Sequence, residues 1–355
     1  MQFVIRGYHG RMKRTAIKRI GLFLLLFGFL AAAASARNLE IYWIDVEGGA
    51  STLIISPSGQ SLLVDTGNFT PDNRDAKRIY ETAKQAGLTK IDYLITTHFH
   101  GDHVGGVAAL AKMMPIEHFL DHGDSIEQKD PRSGPLWKPY LDTAAGKRMT
   151  LKPGDKLPVK GLDAIVVAAN GQVISKPVNG GGPNPNCAGA QTHPADTTEN
   201  QRSVGFLLTF GKFKFLDLGD LTWDKEMELA CPENKVGTVT LFQATHHGFV
   251  NDFSGAPAHI LALQPQVVIV NNGPTKGLQN SAWQTISNIK GLEDVWQIHQ
   301  AMGPNHDHNT KAEQIANPEP TDQCKGNWIK ASIESNGKFT ITNGRNSVSK
   351  SYTAR

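Results

Sequence analysis

The side chains most capable of chemistry lie in one short segment, which reads T-H-F-H-G-D-H over residues 97–103. Three imidazoles and one carboxylate, from His98, His100, Asp102 and His103, fall within six positions there. These are donors that Zn²⁺ and related transition metals accept in proteins. A polar loop that is rich in histidine by chance is the alternative, but so dense a set of donors argues against it. The segment therefore predicts a metal site.

A buried strand is predicted directly before this segment. Residues 91–97 (I-D-Y-L-I-T-T) are short, apolar and β-branched, a pattern typical of a core strand. Such a strand would place the donors on the loop at its end. We call residues 97–103 the metal loop. A helix predicted at 104–114 would begin at its end.

The N-terminal 36 residues predict a secretory signal peptide. Six basic residues precede an apolar stretch at 20–33, and Ala34-Ser35-Ala36 supplies the small residues of a cleavage site. A retained membrane anchor is the alternative, but the apolar stretch is shorter than the roughly 20 residues that a span needs. We therefore expect a secreted or periplasmic protein that is cleaved near Ala36 and has no membrane contact once the leader is removed.

The leader also dominates the charge balance. The whole chain carries 36 basic and 33 acidic residues, for a net charge of +3. Residues 1–36 hold six of the basic residues and none of the acidic ones, so the remainder carries 30 − 33 = −3. No broad basic surface remains to neutralise phosphates, and there is no strong nucleic-acid signature. A local basic patch stays open, and no pattern predicts an oligomeric state.

The three cysteines, Cys187, Cys231 and Cys324, show no C-x-x-C spacing, which argues against a thiolate metal site. Export to an oxidising compartment would allow one pair to form and leave one thiol over. Three pairings are open, and three reduced, buried thiols are the alternative. We favour Cys187 with Cys231, because that crosslink would fix a long loop to the second half of the chain.

Beyond the leader, the pattern predicts a single α+β domain at 37–355. A strand meander (39–45, 51–55, 61–65) and a helix (71–87) precede the metal loop. A Gly-, Pro- and Asn-rich loop follows at 170–200, and this loop could cover the site. Strands are then predicted at 203–210, 214–218, 238–244, 267–271 and 294–299, with helices at 222–230, 256–263 and 282–289. A loop at 300–327 leads to C-terminal strands at 328–355. This order favours two sheets packed face to face and covered by helices.

Together, three motifs resemble the metallo-β-lactamase superfamily: L-L-V-D-T-G at 62–67, H-x-H-x-D-H at 98–103 and L-D-L-G-D at 216–220. I-D-V-E-G-G-A at 44–50 and T-H-H-G at 245–248 look like motifs of one branch, the hydrolase-like domain of competence (DNA-uptake) membrane proteins. The resemblance covers most of 39–273. It implies an αββα sandwich of two packed mixed sheets with outer helices, and a metal site at one edge between the sheets.

The resemblance also implies roles for particular residues. His98 and His100 would bind a first metal ion, Asp102 and His103 a second, and Asp220 both. Asp65 would support the site by hydrogen bonding, although a turn aspartate is the alternative.

The last ligand would be either His246 or His247, and the other would handle protons or bind substrate. Many members carry a further ligand histidine in the region where this chain has Asn200. His193 lies nearby as a possible substitute.

Three other histidines, His299, His306 and His308, are weaker ligand candidates, because a solvated polar loop explains them.

Two cations roughly 3.5–4 Å apart can bind a bridging water, lower its pKa toward neutrality and polarise a substrate oxygen. Asp102, His246 or His247 would then handle protons. The sequence thus predicts an exported hydrolase that uses two Zn²⁺ ions, with Mn²⁺ or Fe as alternatives. A small-molecule ester or a phosphodiester is favoured over a β-lactam as substrate. The alternatives are a non-catalytic metal-binding module, a nuclease acting on DNA and an iron-dependent oxidoreductase.

Overall fold

The structure is a computed structural model, and it describes residues 1–4, 7 and 37–355, without the side chain of Ala282. Apart from residues 1–4 and 7, the predicted signal peptide lies outside the described residues. Residues 37–355 form one compact unit. Within the described ranges, no helix is both long and apolar enough to cross a membrane.

The strands of this unit fall into two large sheets and one small pair. Their bounds are β1 Leu39–Trp43, β2 Thr52–Ile55, β3 Ser61–Val64, β4 Ile91–Ile95, β5 Ile116–Asp121, β6 Arg148–Thr150, β7 Asp163–Ala169, β8 Gln172–Val173, β9 Gly182–Pro183, β10 Gly205–Phe210, β11 Phe213–Asp217, β12 Glu233–Asn234, β13 Leu241–Gln243, β14 Val267–Val270, β15 Asp294–His299, β16 Ile315–Asn317, β17 Ile329–Ile333, β18 Lys338–Asn343 and β19 Ser349–Thr353.

Along the chain, the helices alternate with these strands, and most of them are the next element after a strand. Their bounds are α1 Arg74–Gln85, α2 Gly101–Val104, α3 Val107–Met113, α4 Gly134–Ala144, α5 Trp223–Ala230, α6 Thr245–Phe249, α7 Pro257–Leu263 and α8 Asn280–Ser287.

Both large sheets are mixed. The first has nine strands in the order β19-β18-β17-β1-β2-β3-β4-β5-β6, antiparallel as far as β3 and parallel from β3 to β6. The second has eight strands in the order β16-β15-β14-β13-β11-β10-β7-β8, parallel from β16 to β11 and antiparallel beyond. The parallel halves carry near-continuous apolar runs such as V-V-I-V in β14, because both faces of these strands are covered.

Three apolar clusters define four layers. One lies between the sheets and joins Trp43 and Ile54 of the first sheet to Phe206 and Trp296 of the second. The other two lie on the outer faces, under α1, α3 and α4 on one side and under α5, α7 and α8 on the other. The fold is therefore the predicted αββα sandwich.

A buried amide helps to join the two sheets near one end. The side-chain oxygen of Gln243, at the end of β13, accepts hydrogen bonds from Trp43 Nε1 (2.8 Å) and Thr52 Oγ1 (3.0 Å) of the first sheet. Its amide nitrogen donates to Asp217 Oδ1 at 3.1 Å. Because all these groups are buried, each bond lost would leave a polar atom unpaired.

Several sequence-based boundaries need correction. The predicted helix at 104–114 is two helices, α2 and α3, and the first begins at Gly101, inside the metal loop. The segment 300–327, predicted as a loop, contains strand β16. Residues 115–169 received no prediction, although they form β5, α4, β6 and β7. The C-terminal strands are confirmed. They extend the first sheet beyond β1, with β17 paired to β1.

The disulfide prediction is confirmed: Cys187 and Cys231 are bonded, and Cys324 is free. The bond joins the 170–200 segment to the end of α5. Strand β9 of that segment also pairs with β12, just after Cys231. The middle of the segment is therefore attached along the second half of the chain, and only its last residues, from Asp196 to Asn200, contribute to the cavities described below.

Candidate metal centre

The metal loop leaves the first sheet at the end of β4 and closes within α2. Asp65, just after β3, accepts hydrogen bonds from Thr97 N and Thr97 Oγ1, both at 2.7 Å, and so fixes the start of the loop. Gly49 packs against the other end, where a Cβ atom would lie 2.4 Å from the carbonyl oxygen of Asp102. The E-G-G turn after β1 can therefore approach the loop this closely only with glycine.

The first two imidazoles of the loop meet at their metal-capable nitrogens. His98 Nε2 lies 3.0 Å from His100 Nδ1 and 4.0 Å from Asp220 Oδ2. Asp220 comes from the turn after β11 in the second sheet. The two sheets therefore contribute donors to the same point.

Asp220 Oδ2 also lies close to three further imidazoles. It lies 3.2 Å from His103 Nε2, 3.3 Å from His246 Nε2 and 3.4 Å from His247 Nε2. Asp102 Oδ2 approaches His247 Nε2 at 3.3 Å and His103 Nε2 at 3.6 Å. One donor atom from each of Asp102, His103, Asp220 and His247 lies within 4.8 Å of the others.

His246 and His247 differ in their surroundings. Both follow β13 in a tight turn with left-handed backbone angles, φ 51° and 57°, which are costly for residues other than glycine. The side chain of His247 is fully buried, whereas that of His246 is 7% exposed and borders the cavity described below. The turn thus directs two adjacent imidazoles to the same carboxylate from different sides.

These donors fit a metal ion, and we call the set the candidate metal centre: His98, His100, Asp102, His103, Asp220, His246 and His247. His103 Nε2 and both ring nitrogens of His247 are buried and have no hydrogen-bond partner, which is costly in a protein interior. Zn²⁺ bound at about 2.0–2.2 Å from nitrogen and oxygen donors would satisfy such atoms. Imidazole and carboxylate donors without a thiolate also suit Mn²⁺ and Fe²⁺.

Neighbouring opposite charges shift the pKa values of the buried imidazoles and carboxylates of the candidate metal centre. Burial lowers the pKa of His103, but the carboxylate of Asp220 and its acidic neighbours raise it well above its usual value. Burial raises the pKa of Asp220, but the imidazoles of His103 and His246 hold it well below its usual value. The pKa of Asp102 is also held well below its usual value, because the charges of Lys276 and His103 outweigh the effect of burial. The carboxylates are therefore ionised at neutral pH, the form that binds a cation, and metal binding would release the proton of His103.

Two carboxylates orient ligand imidazoles through their second nitrogen. Asp65 Oδ2 lies 2.7 Å from His103 Nδ1, which leaves Nε2 directed at Asp220. Glu127 Oε2 lies 3.1 Å from His100 Nε2, which leaves Nδ1 directed at His98. Such carboxylate–histidine pairs fix the tautomer and the ring orientation of a metal ligand. Sequence reasoning named Asp65 but missed Glu127.

A buried glutamate, Glu199, anchors the loop that carries Glu127. It accepts hydrogen bonds from Phe99 N at 3.2 Å and Ile126 N at 2.5 Å, and it contacts His122 Nε2 at 2.9 Å. Its own backbone N–H donates to Glu127 Oε1 at 3.0 Å. Sequence reasoning missed Glu199 as well, although it lies in the stretch 198–203, where the resemblance places a ligand histidine in many superfamily members. No local signal links residues 122–127 to 199.

Two adjoining cavities open beside the donors, of about 430 and 790 Å³. Their linings share His100, Arg132, Asn200 and Phe253. Lys276, which contacts Asp102 Oδ2, also lines the smaller one. The centre therefore lies at the floor of an accessible cavity with cationic groups on its walls.

Other predicted candidates lie in different places. Asn200 lines both cavities, and its side-chain oxygen is buried without a partner. His193 stacks on Trp223 at 3.9 Å between ring centroids. His299 corrects the prediction of a solvated loop, because it ends β15 and is fully buried. His306 is exposed, as expected for a polar loop, and His308 is partly buried.

The comparison with protein families agrees with this geometry. Residues 44–190 match the family model described as the metallo-beta-lactamase superfamily. That stretch includes the metal loop, Asp65 and Glu127. This part of the chain is therefore similar to the metallo-beta-lactamase superfamily.

Similarity to curated proteins is local. A UPF0173 metal-dependent hydrolase of Thermodesulfovibrio yellowstonii is 37% identical over 91 residues, which are 26% of this chain and 31% of that protein. An atrochrysone carboxyl ACP thioesterase of Passalora fulva is 41% identical over 73 residues, 20% of this chain and 21% of that protein. A lactamase-like protein, notP, of an Aspergillus species is 39% identical over 67 residues, 19% of this chain and 20% of that protein. The chain thus spans between a fifth and a third of the length of these relatives.

Solved structures with some likeness include metal-dependent enzymes. CmlA, a diiron beta-hydroxylase from Streptomyces venezuelae, shows 14% identity and a TM-score of 0.44, covering 73% of this chain and 52% of that one. MEM-A1, a subclass B3 metallo-beta-lactamase from a soil metagenome library, shows 15% identity and a TM-score of 0.34, covering 74% of this chain and 76% of that one.

Proposed function

We propose that this chain is an exported metal-dependent hydrolase that acts on an ester, thioester or phosphodiester bond. One observation carries the proposal: the buried, unpartnered Nε2 atoms of His103 and His247 converge with Asp102 on Asp220 Oδ2, at the floor of an open cavity. A catalytic metal site keeps such an opening, whereas a structural one is closed by protein ligands.

The donors divide into two sets around Asp220. His98 and His100 would hold one ion, and Asp102, His103 and His247 the other, with Asp220 between them. Bound there, two such ions would supply an activated water and an electrophile for the substrate oxygen. The protein itself orients the imidazoles through Asp65 and Glu127 and shields their inner faces from water.

His246 is the residue we assign to proton transfer. Its ring borders the cavity, its Nε2 lies 3.3 Å from Asp220 Oδ2, and its plane stacks on Phe253. A general acid or base must come within hydrogen-bond reach of the reacting groups, and a ring that borders the cavity can do so. His247 is fully enclosed, which suits a ligand.

The size of the cavity supports a small substrate, and Arg132 would favour negative charge on it, whereas Lys276 is already paired with Asp102 and Glu47 also lines the cavity. Arg132 and Lys276 line the smaller cavity together with Asn200, and a cavity of a few hundred cubic ångströms suits a small molecule. Local similarity to a thioesterase over 73 residues supports including thioesters among the candidate bonds. No residue of the cavity favours a β-lactam over an ester.

Export is supported by two features. Residues 1–36 have the pattern of a secretory leader. The Cys187–Cys231 disulfide is typical of proteins in oxidising compartments.

A nuclease is the weaker candidate. The resemblance of 44–50 and 245–248 to DNA-uptake proteins supports it. The net charge of −3 over residues 37–355 argues against it, because binding along a nucleic acid needs an excess of basic side chains.

The test combines metal analysis with a substrate panel. The purified protein is quantified for bound metal and assayed with chromogenic carboxylic esters, a thioester, bis-(p-nitrophenyl) phosphate, nitrocefin and single-stranded DNA. We expect bound metal and turnover of at least one ester, thioester or phosphodiester. Bound metal without turnover of any substrate would favour a non-catalytic binding module.

A matched pair of variants tests the ligand assignment. His100→Ala should lose metal and turnover together, because His100 Nδ1 is one of the donors. His118→Ala, an exposed histidine on β5 that stacks on Tyr93, should keep both. Full metal content and activity in His100→Ala would overturn the assignment.

A further inference from the structure

We propose that Asp45, Glu47, His299 and Cys324 form a second, structural metal site for Zn²⁺ or a similar divalent transition ion. We call these four residues the second cluster. One donor atom from each lies within 4.8 Å of the others. The cluster shares no residue with the candidate metal centre, and the proposal does not depend on the proposed hydrolase activity.

The fold brings these four residues together from three distant segments. Asp45 and Glu47 follow β1 in the first sheet, and His299 ends β15 in the second. Cys324 lies in the connection before β17, which pairs with β1. The site is therefore located where the two sheets and the C-terminal connection meet.

An unpaired buried imidazole points to a ligand in this cluster. His299 is fully buried, and its Nε2 has no hydrogen-bond partner, although Glu47 Oε2 lies 3.5 Å away. The other ring nitrogen, Nδ1, lies 3.4 Å from the carbonyl oxygen of Gln300. If Nδ1 carries the proton, Nε2 is a free lone pair aimed into the cluster, as in a metal-ligating histidine.

The other donor atoms of the cluster already take part in hydrogen bonds with one another or with neighbouring side chains. Cys324 Sγ lies 2.9 Å from Asp45 Oδ2. Arg78 Nη1 donates to Glu47 Oε1 and to Asp45 Oδ2, both at 3.2 Å. Thr321 Oγ1 donates to Glu47 Oε2 at 2.9 Å.

Charge balance also favours a divalent ion. Two carboxylates and a thiolate carry −3, the Arg78 guanidinium carries +1, and a divalent cation brings the sum to zero. The Asp45 side chain is fully buried, Glu47 is 5% exposed and Arg78 12%, so a net charge here would be costly. Without an ion, the cluster is neutral if a proton resides on His299 or on Asp45 and Cys324 is a thiol, and the experiment below separates these protonated forms from a bound ion.

The donor types select the ion. Thiolate and imidazole donors suit Zn²⁺, Co²⁺ or Fe²⁺, whereas Mg²⁺ and Ca²⁺ prefer oxygen donors only. Binding replaces the Cys324 thiol proton with the metal ion and releases that proton to solvent, so charge and atoms balance. The ion would join the 300–327 segment to the residues after β1 and to the end of β15.

Cobalt substitution tests the site directly. Cys324 is the only free cysteine, and the candidate metal centre contains none. Co²⁺-loaded protein should therefore show a sulfur-to-cobalt charge-transfer band in the near ultraviolet that can come only from the second cluster. Cys324→Ser should lose this band and one equivalent of bound cobalt.

A centre variant separates this result from the proposed function. His100→Ala should keep the thiolate band even when it loses metal from the candidate metal centre. In the wild-type chain, bound Zn²⁺ should protect Cys324 from a thiol-specific reagent, a readout that needs no variant to fold. Absence of the band together with unchanged thiol reactivity in Zn²⁺ would overturn the proposal and favour a metal-free cluster that is neutralised by a proton.

Discussion

The candidate metal centre and the second cluster differ in how the chain assembles them. Three histidines and an aspartate of the centre lie within residues 98–103, and only Asp220 and the 246–247 pair come from elsewhere. The second cluster draws on residues 45, 47, 299 and 324, which no local pattern connects. A dense local motif therefore makes the centre visible in the sequence, whereas the second cluster becomes visible only through the contact between the two sheets.

The two groups also differ in access. Donors of the centre border a cavity of about 430 Å³. In the second cluster, the side chains of Asp45 and His299 are fully buried, and that of Glu47, which also lines this cavity, is 5% exposed. Open metal sites can admit a substrate, and closed ones stabilise the fold. The comparison thus assigns chemistry to the first group and stability to the second.

Removal of Arg78 should have the largest effect on stability. Arg78→Met leaves the buried carboxylates of Asp45 and Glu47 without their cation, and breaking a buried ion pair on one side costs about 3–5 kcal/mol. We expect a loss of this size in the free energy of unfolding in urea. Added Zn²⁺ should recover part of it, because the ion binds only the folded state.

An exposed ion pair provides the control for Arg78→Met. Lys138 and Asp142 pair on α4, and their side chains are 81% and 65% exposed. Lys138→Met should change the unfolding free energy by less than about 1 kcal/mol. Equal effects for the two variants would contradict the buried network around Arg78.

The adjacent histidines of the centre should separate ligation from proton transfer. His247→Ala should weaken binding of at least one metal ion by more than about 100-fold, because loss of a residue that only orients a ligand already costs about 10–100-fold. His246→Ala should keep its metal and lose about 10²–10⁴-fold in kcat. Metal titration and steady-state kinetics on both variants measure this difference, and the opposite pattern would exchange the two roles.

The smallest predicted effect concerns the residue that orients His100. Glu127→Gln removes the carboxylate charge from His100 Nε2 and should weaken metal binding by about 10–100-fold. The melting temperature should change little, since the amide can still accept a hydrogen bond.

Glu117→Gln is the matched control for Glu127→Gln. Glu117 lies on β5 with a side chain that is 43% exposed, so metal affinity should not change. Equal metal affinity in wild type and Glu127→Gln would show that Glu127 is not a positioning residue.

Much of the fold could be predicted from local patterns. The β1–β2–β3 meander, α1 and the strands β10, β11, β14 and β15 have alternating or continuous apolar runs bounded by turn residues. The region 115–169 was harder to predict, because α4 contains Pro139 and has no side-chain cap and β6 has only three residues. The apolar run of β7 is a strand signal that sequence reasoning missed. Gly105 and Gly106 interrupt the apolar pattern that had predicted one helix at 104–114.

Two residues of the candidate site, Glu127 and Lys276, could not be predicted because their partners are far away in the sequence. Glu127 contacts His100 through a loop held by Glu199, which is 72 residues away in the chain. Lys276 reaches Asp102 across 174 residues. Single carboxylates and lysines are common on surfaces, so neither residue differs from an ordinary charged side chain before the chain folds.

By itself, the sequence determined the leader pattern, the sandwich class and the set of donor residues at 98–103, because these depend on local composition and spacing. Only the tertiary structure decided that Asp220 faces four imidazoles, that His247 is enclosed while His246 borders the cavity, and that His299 is buried beside Glu47. The physical reason is that burial and charge proximity depend on how two sheets pack, and the packing brings together residues that are hundreds of positions apart.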